Sequence, residues 1–117
     1  MPSRTIAGMD HVAAFDAAVD SGDWEGFARR FSEDAVMVFH GVPAGPFEGR
    51  AAIAAAYAAD PPDEPLEVVG PVVVDGDFLV LHFCWVDSGG TGTMRLRLDP
   101  AGLVARLEVS FDPPSDG

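Results

Sequence analysis

Two hydrophobic periods divide the chain. Up to about residue 59, apart from residues 35–40, the apolar positions recur every three or four residues, as on one face of a helix; after residue 65 they alternate as in strands. Val12, Phe15 and Val19 form the first helical stripe, and the aromatic residues from Trp24 to Phe31 form the second. The spacing predicts helices over residues 5–20, 24–31 and 50–59, and strands over residues 35–40, 66–74, 78–86, 91–98 and 103–111.

The segments between these elements carry recognisable turn and capping signals. Asp23 suits a helix N-cap, Asp75-Gly76 suits a tight hairpin, and the prolines of residues 59–65 exclude both a helix and a central strand there. Residues 41–49 read as a Gly- and Pro-rich loop. Helices followed by a run of consecutive strands predict a single α+β domain over residues 1–117, with frayed ends at residues 1–4 and 112–117.

The alternation also predicts which side chains share a face of the sheet. If residues 87–90 form a four-residue turn, Val86 pairs with Thr91 and Phe83 with Met94. One face is then uniformly apolar and should lie under the helices. The opposite face is mixed, and on it Arg95, Arg97 and Arg106 become candidate partners of Glu108.

Composition narrows the function classes. Seven basic residues against nineteen acidic ones give a net charge of −12, which argues against nucleic acid or an anionic membrane surface as partner. No apolar run is long enough for a membrane span, and residues 1–8 show no signal-peptide pattern, so we expect a cytoplasmic protein. The single Cys84 excludes an internal disulfide. Scattered histidines and the absence of a glycine fingerprint predict neither a metal nor a cofactor.

The run from Trp24 to Tyr57 carries a family resemblance. A short aromatic helix ends in Phe31-Ser32-Glu33-Asp34, a strand and a Gly/Pro loop follow, and Phe47-Glu48-Gly49-Arg50 opens an Ala-rich helix. This order resembles the nuclear transport factor 2-like superfamily, which includes ketosteroid isomerases and SnoaL-like polyketide cyclases. The resemblance implies a cone, in which three helices pack on a strongly curved, mostly antiparallel sheet around an apolar pocket.

The resemblance also says where catalytic groups would lie. The isomerases use a Tyr hydroxyl, a carboxylate base and a protonated Asp. On this chain their positions fall on Phe15, Phe39 and Met94, which are all apolar. A register error of one residue would bring Asp16 or His40 into consideration, but could not restore all three groups. Ketosteroid isomerisation by that mechanism is therefore not expected.

The polar candidates that remain are His40, at the end of the first strand, and Tyr57, on the third helix. An imidazole suits a general base and a phenol can donate a hydrogen bond. His11 and His82 are interpreted as structural. The predicted pocket lining is Phe15, Trp24, Phe27, Met37, Phe39, Phe83, Trp85, Met94, Leu96, Leu107 and Val109.

Two hypotheses follow for the function. In the first, the cone binds an apolar small molecule such as a polyketide, terpenoid or steroid-like ring system, with isomerisation, cyclisation or hydration by His40 and Tyr57 as the associated chemistry. In the second, the domain is a non-catalytic dimerisation or interaction module and the pocket is its packed core. Under either hypothesis the mixed outer face of the sheet is predicted to form a homodimer.

Overall fold

The computed structural model describes residues 4–41 and 45–112, with side chains described from Met9 onward. The helices are α1 (Arg4–Ser21), α2 (Trp24–Ala28) and α3 (Arg50–Ala59). The strands are β1 (Phe31–His40), β2 (Phe47–Glu48), β3 (Leu66–Asp75), β4 (Phe78–Trp85), β5 (Thr91–Leu98) and β6 (Val104–Phe111). They form one curved sheet in the order β2-β1-β6-β5-β4-β3, antiparallel throughout except for the parallel pair β1 and β6. The α+β prediction is confirmed.

Helix α2 is shorter than its aromatic spacing predicts. Asp23 caps it as expected, because its side chain accepts a hydrogen bond of 3.0 Å from the Gly26 N–H. The helix ends at Ala28, however, and Phe31 already belongs to β1, where it pairs with Val104. Phe31 is fully buried in the strand, so the aromatic spacing predicted its burial correctly and its secondary structure wrongly.

Strand β2 lies in the segment that the sequence predicts as a loop. Only Phe47 and Glu48 pair with β1, and two residues carry no detectable period. Gly49 follows with a φ of 96°, a left-handed conformation that favours glycine, and is the N-cap residue of α3. The rest of the predicted loop falls partly on residues 42–44, outside the described residues.

The hairpin between β4 and β5 differs in register from the prediction. Thr91 pairs with Cys84 instead of Val86, and Met94 pairs with Leu81 instead of Phe83. The turn is longer because Trp85 closes it with two hydrogen bonds, donating to the Gly90 carbonyl at 2.7 Å and accepting from the Gly89 N–H at 2.9 Å. A shift of two residues leaves every side chain on its predicted face. The Asp75-Gly76 hairpin forms as expected between β3 and β4.

The two faces of the sheet have opposite characters. The concave face and the helices bury the apolar core. Its members are Val12, Phe15, Ala18, Trp24, Phe27, Phe31, Ala35, Met37, Ile53, Tyr57, Leu66, Leu79, Leu81, Phe83, Met94, Leu96, Val104, Leu107 and Val109. On the convex face the Arg106 Nε atom lies 2.6 Å from Glu108 Oε2, and Arg95 lies within 3.8 Å of the same carboxylate. The pairing of Arg95 and Arg106 with Glu108 is thus confirmed.

The predicted frayed ends lie outside the described residues except for Arg4, which begins α1, and Asp112, whose N–H donates to the Thr91 carbonyl. Among the described helices, none has the length and apolar character required to cross a membrane.

Candidate functional site

A cavity of about 520 Å³ opens between the concave face of the sheet and helices α1 and α3. Its volume is within the range of small-molecule sites. The lining is His11, Phe15, Met37, Phe39, Phe47, Ala56, Tyr57, Asp60, Pro61, Pro62, Asp63, Leu66, Phe83, Trp85, Met94, Val109 and Phe111. Most of these side chains are apolar or aromatic, so the cavity suits a ligand with an apolar body.

His11 lies on the inner wall of the cavity. Its side chain is 1% exposed, and its ring contacts those of Phe27 and Phe31 at centroid distances of 5.2 and 5.7 Å. The Nδ1 atom is buried and has no hydrogen-bond partner among the described residues. Burial, and secondarily the positive charge of Arg30, lowers the pKa of His11 to about 3. The imidazole is therefore neutral at physiological pH and is a weak base.

Tyr57 is presented to the cavity by α3. Its ring stacks on Trp24 at a centroid distance of 4.8 Å, and this contact fixes the side chain. The residue is 8% exposed, yet its hydroxyl makes no hydrogen bond to any described residue. Burial raises the pKa of Tyr57, so the phenol keeps its proton. The cavity wall thus offers an unused hydrogen-bond donor.

The mouth of the cavity is formed by the segment after α3. Asp60, Pro61, Pro62 and Asp63 line the cavity, and both carboxylate side chains are exposed to solvent. Glu64 Oε1 anchors this segment to the β4–β5 turn by accepting hydrogen bonds of 2.9 to 3.1 Å from the Asp87 N–H, the Ser88 N–H and the Ser88 hydroxyl. Beyond it, the Leu66 N–H donates to Asp16 Oδ1 on α1 at 2.8 Å. The end of this segment that leads into β3 is therefore attached both to the β4–β5 turn and to α1.

The sequence pattern of the SnoaL-like domain family matches residues 12–108, which is most of the chain. The chain belongs to the SnoaL-like domain family. This confirms the resemblance to the nuclear transport factor 2-like superfamily. No curated protein matches the sequence.

Solved structures show the same fold as this SnoaL-like domain. A protein of unknown function with a cystatin-like fold from Methylobium petroleophilum has a TM-score of 0.70 at 18% identity, covering 97% of this chain and 81% of its own. A proposed ketosteroid isomerase from Kribbella flavida has a TM-score of 0.68 at 20% identity, with coverages of 97% and 83%. A proposed isomerase of the SnoaL-like family from Agrobacterium tumefaciens has a TM-score of 0.67 at 19% identity, with coverages of 92% and 99%. At these identities the likeness concerns the fold.

Most residues predicted for the pocket lie in the wall of this SnoaL-like cavity. These are Phe15, Met37, Phe39, Tyr57, Phe83, Trp85, Met94 and Val109. Trp24, Phe27, Leu96 and Leu107 do not line it and are buried in the core around it. The correction for Trp24 and Phe27 has a simple cause: the rings of Tyr57 and Phe15 pack against them.

His40 does not face the cavity, and its catalytic assignment is withdrawn. Its side chain is 55% exposed, and Nε2 lies 3.8 Å from Glu108 Oε1 on the convex face. The reason is the strand period: Phe39 lines the cavity, so the next residue along β1 points to the opposite face. No other residue of β1 that lines the cavity can titrate, since these are Met37 and Phe39.

The polar residues that sequence reasoning missed are His11, Asp60 and Asp63. His11 precedes Phe15 by four residues on α1, so the helical period places both on one face. That signal was available, although a lone histidine on an apolar face usually indicates core packing. Asp60 and Asp63 lie in a Pro-rich connection without a period, so no pattern indicated that they reach the cavity.

The described side chains contain no group of three or more His, Cys, Asp and Glu residues placed to hold a metal ion.

Proposed function

We propose that this SnoaL-like domain binds an apolar small molecule, with a ring system and at least one hydrogen-bonding group, in the cavity between sheet and helices. The observation that supports this most directly is the cavity of about 520 Å³, apolar in its walls and carrying the unpaired hydroxyl of Tyr57. A ligand can accept a hydrogen bond from this hydroxyl without breaking a bond inside the described part of the protein.

Apolar contact would supply most of the binding free energy. A two-ring aromatic body burying roughly 250 Å² would gain about 6 kcal/mol at about 25 cal/mol per Å². Association entropy and side-chain ordering offset part of this gain. We therefore expect dissociation constants on the order of 0.1 to 10 mM for simple probes, and tighter binding for a ligand that fills the cavity.

Chemistry on the inner wall of the cavity would have to use His11 and Tyr57, because the other titratable lining residues, Asp60 and Asp63, lie at the mouth. The isomerase base position holds Phe39, and His11, whose pKa is lowered to about 3, is too weak a base to abstract a proton at neutral pH. A neutral phenol and a neutral imidazole can nevertheless polarise a carbonyl or stabilise a developing oxyanion. Isomerisation, cyclisation or hydration assisted in this way stays a prediction, and binding is the function we propose.

The alternative, a module whose cone is its packed core, predicts a cavity filled by side chains. The open volume counts against it. A homodimer through the convex face remains a prediction that is compatible with ligand binding. Light scattering of the purified protein would test it, and a monomer at all accessible concentrations would contradict it.

A pair of variants on α3 tests the proposal. Ala56→Phe places a ring in the cavity, whereas Ala55→Phe places the same ring on the exposed side of the helix. Isothermal titration with two-ring and polycyclic probes should show binding to the wild type and to Ala55→Phe, and loss of binding in Ala56→Phe. If no probe binds the wild type, or if Ala56→Phe binds as well as Ala55→Phe, the cavity is not the binding site.

Tyr57→Phe tests the hydrogen bond separately. It keeps the ring that stacks on Trp24 and removes only the hydroxyl. Binding of a probe with a carbonyl or hydroxyl should weaken about 3- to 10-fold, which corresponds to a typical net hydrogen bond. A hydrocarbon probe of the same size should bind unchanged. Equal effects on both probes would show that the hydroxyl does not contact the ligand.

A further inference from the structure

The charged side chains that line the cavity are acidic. Asp60 and Asp63 lie at its mouth, and none of the described residues that line it is an Arg or Lys. His11 adds no positive charge near neutral pH, because the pKa of its imidazole is lowered to about 3. The whole chain carries −12, so the long-range field has the same sign as the mouth. An anionic ligand would enter against both charges, and no described lining residue is an Arg or Lys that could pair with it.

The basic residues near this region are directed elsewhere. Arg95 and Arg106 are on the convex face, paired with Glu108, and the Arg50 Nε donates to the Phe31 carbonyl at 2.8 Å. Arg30 is close enough to affect His11 but does not line the cavity. The carboxylates at the mouth therefore have no ion-pair partner among the described residues.

The faces of aromatic rings in the cavity also favour a cationic over an anionic ligand. Four half-buried rings line the cavity: those of Phe39, Phe47, Phe111 and Trp85. Phe39 is the centre of this group, since it stacks with Phe111 at 6.1 Å and meets Phe47 edge-on at 6.2 Å. The face of an aromatic ring carries negative potential and attracts an organic cation. Rings and carboxylates thus favour the same ligand charge.

We propose that the ligand is an organic monocation: an apolar ring body that occupies the cavity and an ammonium group that lies at the mouth beside Asp60 and Asp63. This inference rests on the proposed function, because it specifies the charge of the molecule that the cavity binds. The ring body contacts the sheet and α3, and the ammonium group stays partly hydrated near the two carboxylates.

Three probes of the same size test the ligand charge: naphthylmethylamine, naphthylmethanol and naphthoate. Titration calorimetry at neutral pH and low salt should give an amine affinity about 3- to 30-fold above that of the alcohol, the combined range for exposed ion pairs and a cation–π contact. The carboxylate should bind more weakly than the alcohol. Raising the salt to about 200 mM should reduce the preference for the amine, since exposed charges are screened.

Two charge-matched double variants locate the effect. Asp60→Asn with Asp63→Asn removes the carboxylates at the mouth, and Asp20→Asn with Glu67→Gln removes two exposed carboxylates that do not line the cavity. The first should weaken amine binding about 2- to 10-fold and leave the alcohol unchanged. The second should retain the wild-type preference for the amine.

The outcomes separate this inference from the proposed function. If none of the three probes binds, the proposed function fails, whatever the ligand charge. If the alcohol binds and the amine binds no better, the proposed binding function is retained and the proposal of a cationic ligand is refuted. Equal loss of the preference in both double variants would also refute it, because the effect would then come from the net charge of the protein. Circular dichroism of each variant excludes unfolding as the cause of lost binding.

Discussion

Acid should destabilise this protein through His11. The imidazole is 1% exposed, and burial, aided by the positive charge of Arg30, lowers its pKa from 6.5 to about 3. In the unfolded chain the same group takes up a proton near pH 6.5. Between these two values the unfolded state binds more protons than the native state, so the free energy of unfolding falls as the pH is lowered.

The magnitude follows from the two pKa values. At about pH 5 the unfolded imidazole is almost fully protonated and the native one is neutral, which lowers the free energy of unfolding by about 2 kcal/mol relative to about pH 8. This is a large share of the stability of a small domain. Below about pH 5 the carboxyl groups also titrate, so the comparison should stop there.

The assay is urea denaturation followed by tryptophan fluorescence at several pH values from about 8 to about 5. His11→Leu removes the buried imidazole and should abolish about 2 kcal/mol of the pH-dependent loss. His82→Gln, which removes an exposed imidazole that contacts Thr93, serves as the control. Parallel stability curves for the wild type and His11→Leu would show that the ring is accessible to protons in the native state and would refute the reasoning.

Three further predictions concern the stability of the sheet and of the β4–β5 turn. Gly92→Ala should destabilise the fold by about 1–3 kcal/mol, because a Cβ atom there would overlap the Ser110 carbonyl and the Phe83 ring; an unchanged urea midpoint would contradict this. The Glu64 carboxylate accepts hydrogen bonds from the N–H groups of Asp87 and Ser88, so Glu64→Ala should accelerate amide hydrogen exchange at both residues. The substitution Glu67→Ala, at an exposed residue, should not. The hydrogen bond from Arg106, with smaller contributions from Arg95 and His40, lowers the pKa of Glu108 below 4.5. The stability that this carboxylate contributes is therefore present above about pH 4.5 and lost as the pH falls below it. Glu108→Gln should therefore reduce the fall in melting temperature that accompanies acidification. An unchanged fall would exclude that role.

The alternation of side chains along the strands predicted which residues share a face of the sheet, but it could not predict the register of the β4–β5 pair. Leu81 and Met94 are both on the concave face, as expected, although they pair with each other and not with the predicted partners. The error arose in the β4–β5 turn, where hydrogen bonds made by Trp85 lengthen the connection. Because the period is two, a slip of two residues is invisible to any argument from burial.

The predicted boundary between α2 and β1 was wrong for a different reason. Phe31 continues the helical aromatic spacing and also pairs with Val104 across the sheet, so its burial alone does not distinguish a helix from a strand. The choice between them depends on a strand more than seventy residues later in the chain. Local periodicity contains no information about such a partner, and tertiary pairing decided the outcome.

The polar groups of the candidate site were the part that the sequence predicted least well. The sheet contributes apolar and aromatic side chains to the cavity, apart from the indole N–H of Trp85, whereas the polar groups come from α1, α3 and the segment that follows α3. His11, Tyr57 and Asp60 therefore approach the cavity from the helical side and the rim. A bound ligand must direct its polar groups toward the helices and the mouth and its apolar surface toward the sheet. This fixes the orientation in which Tyr57→Phe and the variants at Asp60 and Asp63 should act on different ends of the same molecule.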